Sequence, residues 1–251
     1  MKKLTLATTL ALLSPFAAAD TILGVYAGAG QWQGEYSGNA GDPSIDVKSL
    51  GMDEEDNNYY YIALEHPVPI IPNIKLQKMD ITSEQTATIY QSFTIDGTTF
   101  IVDPINGTEV ASDFDLSHMD IVLYYELLDN WVNLDVGLNI RKFDGHVSAI
   151  SEFEGEVISE SVDLDEAIPM IYAKAQFDLP LTGFSVGLEG NAINYEDNRL
   201  TDYSAKLQYM FDSALDIGLE VGYREMSLEV DEDVTADIQL KGPYAALLFH
   251  F

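Results

Sequence analysis

The segment Trp131–Arg141, WVNLDVGLNIR, alternates between apolar and polar side chains over most of its length. The apolar residues share one parity, namely Val132, Leu134, Val136, Leu138 and Ile140. The other parity carries Asn133, Asp135, Gly137, Asn139 and Arg141. Because successive side chains point to opposite faces of a β-strand, this pattern predicts a strand with one apolar face and one polar face.

The segment Leu215–Arg224 repeats the same pattern near the end of the chain. Two kinds of β-protein contain such strands. A soluble β-protein turns the apolar face towards its own core, whereas a membrane barrel turns that face to lipid and the polar face to its lumen. The remaining sequence favours the barrel.

The N-terminus has the three parts of a secretory signal peptide. Lys2 and Lys3 form a basic start, an apolar run covers residues 4–16, and Ala17–Ala19 provides a cleavage site of small residues. We therefore predict a Sec signal peptide over residues 1–19 and a mature protein over residues 20–251. No later segment is apolar over enough residues to cross a membrane as a helix, so a spanning chain must form a closed barrel.

The composition excludes several classes of partner and chemistry. The chain has no cysteine, which excludes a lipoprotein anchor, disulfides, thiol catalysis and cysteine-ligated metals. Removal of the signal peptide leaves ten basic against 42 acidic side chains, a formal charge of −32. Nucleic acid is an unfavourable partner for such a chain. The acids cluster at residues 53–56, 152–166 and 229–237, which predicts solvated acidic loops.

Ten segments of the mature chain have the pattern of strands. They lie at residues 23–33, 59–65, 73–82, 116–128, 131–141, 169–179, 184–195, 203–211, 215–224 and 238–251. Long connections follow the first, third, fifth and ninth strands, including an acidic loop from Gly145 to Glu166, and most other connections are short. Within the third connection, Asp96-Gly97 predicts a hairpin. We predict an all-β, transmembrane, antiparallel up-and-down barrel of about ten strands, with eight as the alternative.

The C-terminal sequence YAALLFHF ends on an aromatic residue. Tyr244, Leu247, Phe249 and Phe251 resemble the assembly signal of bacterial outer-membrane proteins, and aromatic residues near other strand ends are typical of interfacial girdles. The mature chain as a whole is similar to small Gram-negative outer-membrane barrels, broadly of the OmpA, OmpX and OmpW type, and looks closest to an uncharacterised family of them. This resemblance implies a location in the outer membrane, and lipid, lipopolysaccharide and the barrel-assembly machinery as partners. It implies no cofactor.

The predicted lumen carries charges of both signs. Eight side chains share the polar parity of their strands: Glu126, Asp135, Arg141, Lys174, Glu189, Lys206, Glu220 and Arg224. In a narrow barrel they would form a paired network that fills the interior, or a constriction that sets ion selectivity.

Enzymatic motifs are lacking from the sequence. His118 and His146 are predicted near the outer rim with Asp113, Asp115, Asp120 and Asp144 nearby, so a hydrolase or metal site is one alternative. Neither histidine lies in a known catalytic motif, and His66 and His250 lie in a proline-rich turn and the last strand.

We therefore expect a non-enzymatic outer-membrane barrel without catalytic, cofactor or metal residues. It would be a structural, surface-exposed protein or a narrow, porin-like passive pore for small solutes or cations, with divalent cations bound at the acidic loops. The alternatives are a barrel-borne hydrolase at the outer rim and a soluble periplasmic β-barrel that binds an apolar ligand.

Overall fold

A computed structural model of the chain describes residues 23–196, 198–211, 216–231 and 235–251. The predicted signal peptide, residues 1–19, lies outside the described residues. Within the described ranges, no helix is long and apolar enough to cross a membrane.

The described chain consists of seventeen strands and one short 3-10 helix over Val47–Leu50. In chain order the strands are β1 (Gly24–Ala40), β2 (Ile45–Asp46), β3 (Glu54–Glu65), β4 (Asn73–Met79), β5 (Thr82–Ile89), β6 (Phe93–Ile95), β7 (Thr98–Phe100), β8 (Thr108–Asp115), β9 (His118–Leu128), β10 (Val132–Phe143), β11 (Gly145–Phe153), β12 (Glu156–Leu164), β13 (Ala167–Asp178), β14 (Phe184–Tyr195), β15 (Asn198–Phe211), β16 (Asp216–Asp231) and β17 (Thr235–His250).

Ten of these strands form a closed antiparallel barrel. Their order is β1, β3, β4, β9, β10, β13, β14, β15, β16 and β17, and β17 pairs with β1 to close the sheet. The closing ladder runs from Tyr26 opposite His250 to Ala40 opposite Ala236. Closure leaves no unpaired edge around the barrel. The predicted fold class is confirmed, with ten strands rather than the alternative eight.

Side chains on β10 show which face points outwards. Val136, Leu138 and Ile140 are exposed on the outer surface, and 62% of Leu138 is accessible. On the opposite face, Asp135 and Arg141 are 1% and 0% exposed. This is the reverse of a soluble half-buried strand, in which the apolar face would be hidden. The same outward apolar pattern continues around the barrel at Ile62, Leu123, Ile171, Leu188, Leu207, Leu219 and Leu247.

The long connections fold into a second sheet at one end of the barrel. β5, β8, β11 and β12 form it, in the order β12-β11-β8-β5. The predicted acidic loop from Gly145 to Glu166 is therefore wrong in its secondary structure, because β11 and β12 pair as a hairpin that turns at Glu154 and Gly155 with positive φ. The predicted hairpin across Asp96 and Gly97 is confirmed, since β6 and β7 pair there.

The third acidic segment, residues 229–237, is also mostly strand. β16 continues to Asp231, β17 begins at Thr235, and these two residues pair with each other. Residues 232–234 lie outside the described ranges. The first acidic segment likewise enters β3 at Glu54. The long-loop end of the barrel is thus built from extended strands with acidic side chains.

An apolar core fills the lumen at this long-loop end. Lumen-facing Trp32 and Leu240 are fully buried in it, together with Leu50, Phe100 and Phe114 from the connections. Trp32 Nε1 also donates a hydrogen bond to the carbonyl oxygen of Gly242 on β17 at 3.2 Å. The segments between the barrel strands therefore supply a core that closes this end.

Candidate functional site in the barrel lumen

The other half of the lumen contains a cavity of about 570 Å³. Asp129, Asn130 and Leu181, which lie in the short turns, line its mouth, and Asp202 and Arg224 line its inner end. The cavity thus opens at the short-turn end, and the buried charges and the apolar core close it on the other side.

Two arginines and two aspartates form a buried layer at the inner end. The Arg141 guanidinium donates to both carboxylate oxygens of Asp120 at 2.8 Å and to Asp202 Oδ2 at 2.6 Å. Arg224 donates to both oxygens of Asp202, at 2.8 and 2.5 Å, and its Cζ lies 5.1 Å from the centre of the Trp32 ring. This layer is formally neutral, as a buried charge cluster needs to be.

A second cluster of charges lies nearer the mouth. Glu189 accepts hydrogen bonds from Lys75 at 2.6 Å and from Lys206 at 2.7 Å, so one carboxylate serves two ammonium groups. Lys206 also lies 3.8 Å from Glu220. The Lys75 ammonium lies 4.9 Å from the centre of the Tyr61 ring, within the range of a cation–π contact.

Three further carboxylates and a lysine complete the wall. Lys174 Nζ lies 3.0 Å from Asp135 Oδ2 on the neighbouring strand. Glu126 lies beside Glu65, another carboxylate, and Tyr124 donates its hydroxyl to Glu65 at 2.7 Å. The mouth of the cavity therefore carries adjacent acidic side chains.

All eight charged residues expected in the lumen lie there, but they do not form one network. They divide among the buried layer, the Glu189 cluster, the Lys174–Asp135 pair and the acidic mouth at Glu126. The set of lumen residues predicted from the sequence lacks Asp202, Lys75 and Glu65, and it also lacks Asp120, which the sequence analysis expects near the outer rim and which instead binds Arg141 in the buried layer. Asp120 and Lys75 share the lumen parity of their strands, so parity alone could have identified them.

The lining of the cavity is acidic overall. Four basic side chains line it, namely Lys75, Lys174, Lys206 and Arg224. Nine carboxylates line it: Glu65, Glu126, Asp129, Asp135, Asp178, Glu189, Asp202, Asp216 and Glu220. Such an excess of one sign in a concave site concentrates ions of the opposite sign.

The histidines expected at an outer rim do not form one site. His118 is fully buried, with Nδ1 2.9 Å from the Leu116 carbonyl oxygen and its ring against Phe143. His146 lies on the second sheet, with Nε2 2.9 Å from Asp113 Oδ2. The two residues belong to different sheets, since His118 begins β9 and His146 is the second residue of β11.

No metal centre is evident in the part of the chain that the structure describes, where no group of three His, Cys, Asp or Glu side chains could hold an ion. An open crevice on the second sheet is lined by Asp103, Glu109, Glu152 and Glu154. The Asn106 side chain and the backbone N–H groups of Asn106 and Ile105 donate to the Asp103 carboxylate and lower its pKa. These local bonds account for the position of Asp103 without a bound ion.

Comparison with known proteins gives only distant likenesses. No family model and no curated protein matches the chain. The outer membrane protease OmpT from Escherichia coli superposes with a TM-score of 0.43 at 12% identity, over 93% of this chain and 98% of that one. A Pseudomonas aeruginosa FadL homologue superposes with a TM-score of 0.33 at 9% identity, over 92% and 90%. At these values nothing about activity passes from either protein to this chain.

Proposed function

We propose that the protein is a non-enzymatic, surface-exposed outer-membrane barrel whose lumen is closed to ions. The observation that carries this proposal is the apolar core in the long-loop end, which includes Trp32 and Phe114 at 0% and 1% exposure. A water-filled pore needs a continuous polar path, and a packed apolar core offers none. Of the two functions expected from the sequence, this observation favours the structural one over the pore.

The location in the outer membrane rests on the barrel surface. Outward side chains form an apolar band of which Leu138 and Leu188 are more than 60% accessible. A soluble protein seldom exposes so large an apolar surface, whereas a membrane barrel requires it. Removal of the expected signal peptide, residues 1–19, would abolish export to that membrane. With the short turns at the periplasmic side and the long connections outside, as in outer-membrane barrels, the second sheet faces the outside of the cell.

Conductance in a planar lipid bilayer tests the proposal. We expect the refolded mature protein to insert and to give no stable openings, under conditions in which a general porin conducts. Insertion is verified separately by protease protection of the lipid-embedded strands. Stable single-channel openings of the inserted protein would contradict the closed lumen and would support the narrow pore.

A further inference from the structure

The cavity at the short-turn end has the form of a cup with one opening. Its volume of about 570 Å³ lies within the range of small-molecule sites. Ser185, near the mouth, and Asn191, near the inner end, lie on the same strand six residues apart, which corresponds to about 20 Å along the strand. The cup is therefore deep for its volume and suits an elongated ligand.

The positive charges of the cup are already paired. Lys75 and Lys206 bind Glu189 at 2.6 and 2.7 Å, and Lys174 lies 3.0 Å from Asp135. Arg224 makes two hydrogen bonds to Asp202. A negatively charged ligand would have to displace one of these carboxylates, and so the cup disfavours anions.

Acceptor atoms remain at both ends of the cup. At the mouth, Glu65 and Glu126 lie side by side, and neither forms an ion pair with a basic side chain of the described residues, although Glu65 accepts the Tyr124 hydroxyl. At the inner end, the Asn191 amide oxygen is shielded from solvent and accepts no hydrogen bond from the described residues. A buried acceptor without a partner destabilises the protein, so a ligand that donates an N–H group to it would bind more tightly.

The walls between these ends already accommodate an alkylammonium group. The Lys75 side chain places its ammonium 4.9 Å from the centre of the Tyr61 ring and on the Glu189 carboxylate. Tyr26, Tyr59, Tyr124, Tyr172 and Tyr244 also line the cup. Aromatic rings next to carboxylates provide apolar contact for methylene groups and attraction for cations.

We propose that this cup binds a linear organic amine with at least two primary ammonium groups. One ammonium group lies between Glu65 and Glu126, and the other donates to Asn191. The amine enters from the short-turn end, which is the periplasmic end in the proposed orientation. The carboxylates of the cup and the Asn191 amide oxygen accept hydrogen bonds from N–H donors. Primary ammonium groups supply such donors and quaternary ammonium groups do not, so the cup favours primary amines.

Isothermal titration of the refolded mature protein with spermidine, in a neutral detergent, tests this inference. We expect saturable binding with one molecule per barrel. The Glu65→Gln/Glu126→Gln variant should weaken binding at least tenfold. The matched control, Glu152→Gln/Glu154→Gln, removes the same charge from the second sheet and should leave the affinity unchanged. Heat-modifiable migration on gels verifies that each variant is folded.

A blocking variant keeps the test informative if the mouth variant does not fold. Gln176→Trp adds bulk to the lining without changing its charge, and it should also abolish binding. The inference is overturned if wild type shows no saturable heat, or if the control weakens binding as much as the mouth variant. It is also overturned if Mg²⁺ competes at the same concentration as spermidine, since the cup would then select charge alone. Binding in detergent is independent of conductance, so its failure leaves the closed-lumen proposal intact.

Discussion

Replacement of Asp202 by asparagine should destabilise the barrel more than any exposed charge change. Asp202 is 3% exposed and is shared by both buried arginines. In the variant Arg224 loses its two carboxylate contacts, at 2.8 and 2.5 Å, and Arg141 loses the one at 2.6 Å. Arg141 keeps its two bonds to Asp120. The layer would then hold one uncompensated positive charge.

Breaking a buried ion pair by removing one partner costs about 3–5 kcal/mol. We expect a loss of about 3 kcal/mol, because the Arg224 side chain is 10% exposed and faces the cavity, where water can solvate it in part. The free energy of unfolding is measured by urea titration of the barrel in phospholipid vesicles, followed by tryptophan fluorescence.

A double variant separates charge imbalance from lost packing. Asp202→Asn/Arg224→Met removes both charges and leaves Arg141 paired with Asp120, so most of the lost stability should return. Glu35→Gln is the surface control, since Glu35 and Lys48 pair at 2.6 Å while nearly half exposed, and its unfolding curve should match wild type. A double variant no more stable than Asp202→Asn would refute the explanation by charge.

Two substitutions on β10 test the two faces of that strand. Leu138→Arg places a charge in the outward apolar band and should lower the free energy of unfolding in vesicles by about 2 kcal/mol. The loss should be smaller when the protein is unfolded in detergent instead of vesicles. Asn139 is fully buried and neither of its amide atoms has a hydrogen-bond partner within the described ranges. Asn139→Leu should therefore raise the unfolding free energy by about 1 kcal/mol in the same titration, and a loss of stability would indicate a bound water or an unseen partner.

The sequence predicted the barrel because lipid and lumen impose opposite polarity on successive residues. Leu138 and Arg141 are an odd number of residues apart and lie on opposite faces of β10, as expected. Tyr244 does not fit the assembly-signal pattern that the sequence analysis assigned to the C-terminal residues. It lies on the lumen face of β17, whereas Leu247 and Phe251 are exposed on the outside, so the four residues compared with an assembly signal do not share one face.

The sequence analysis does not predict the second sheet, because it interprets the acidic composition of residues 145–166 as a loop and disregards the alternation of side chains there. In β12, Ile158, Glu160 and Leu164 are half-buried between exposed neighbours, and Glu154-Gly155 was an available turn signal. Asp202 was missed for a related reason. The predicted strand begins only at Tyr203, yet β15 begins at Asn198, which pairs with Tyr195 of β14, and β15 pairs with β16 from Arg199 onwards. Pairing between distant segments sets such strand ends, and periodicity within one segment does not report it.

The distribution of charge along the lumen separates what folding requires from what it does not. In the buried layer, Arg141, Asp120 and Asp202 are nearly inaccessible, and two guanidinium groups meet two carboxylates. Imbalance there would oppose folding, so neutrality needs no functional explanation. At the mouth, Glu126 is exposed and lies beside Glu65, and no buried pairing constrains their number. An acidic excess that stability does not require is therefore the part of the lumen that most needs a ligand to explain it.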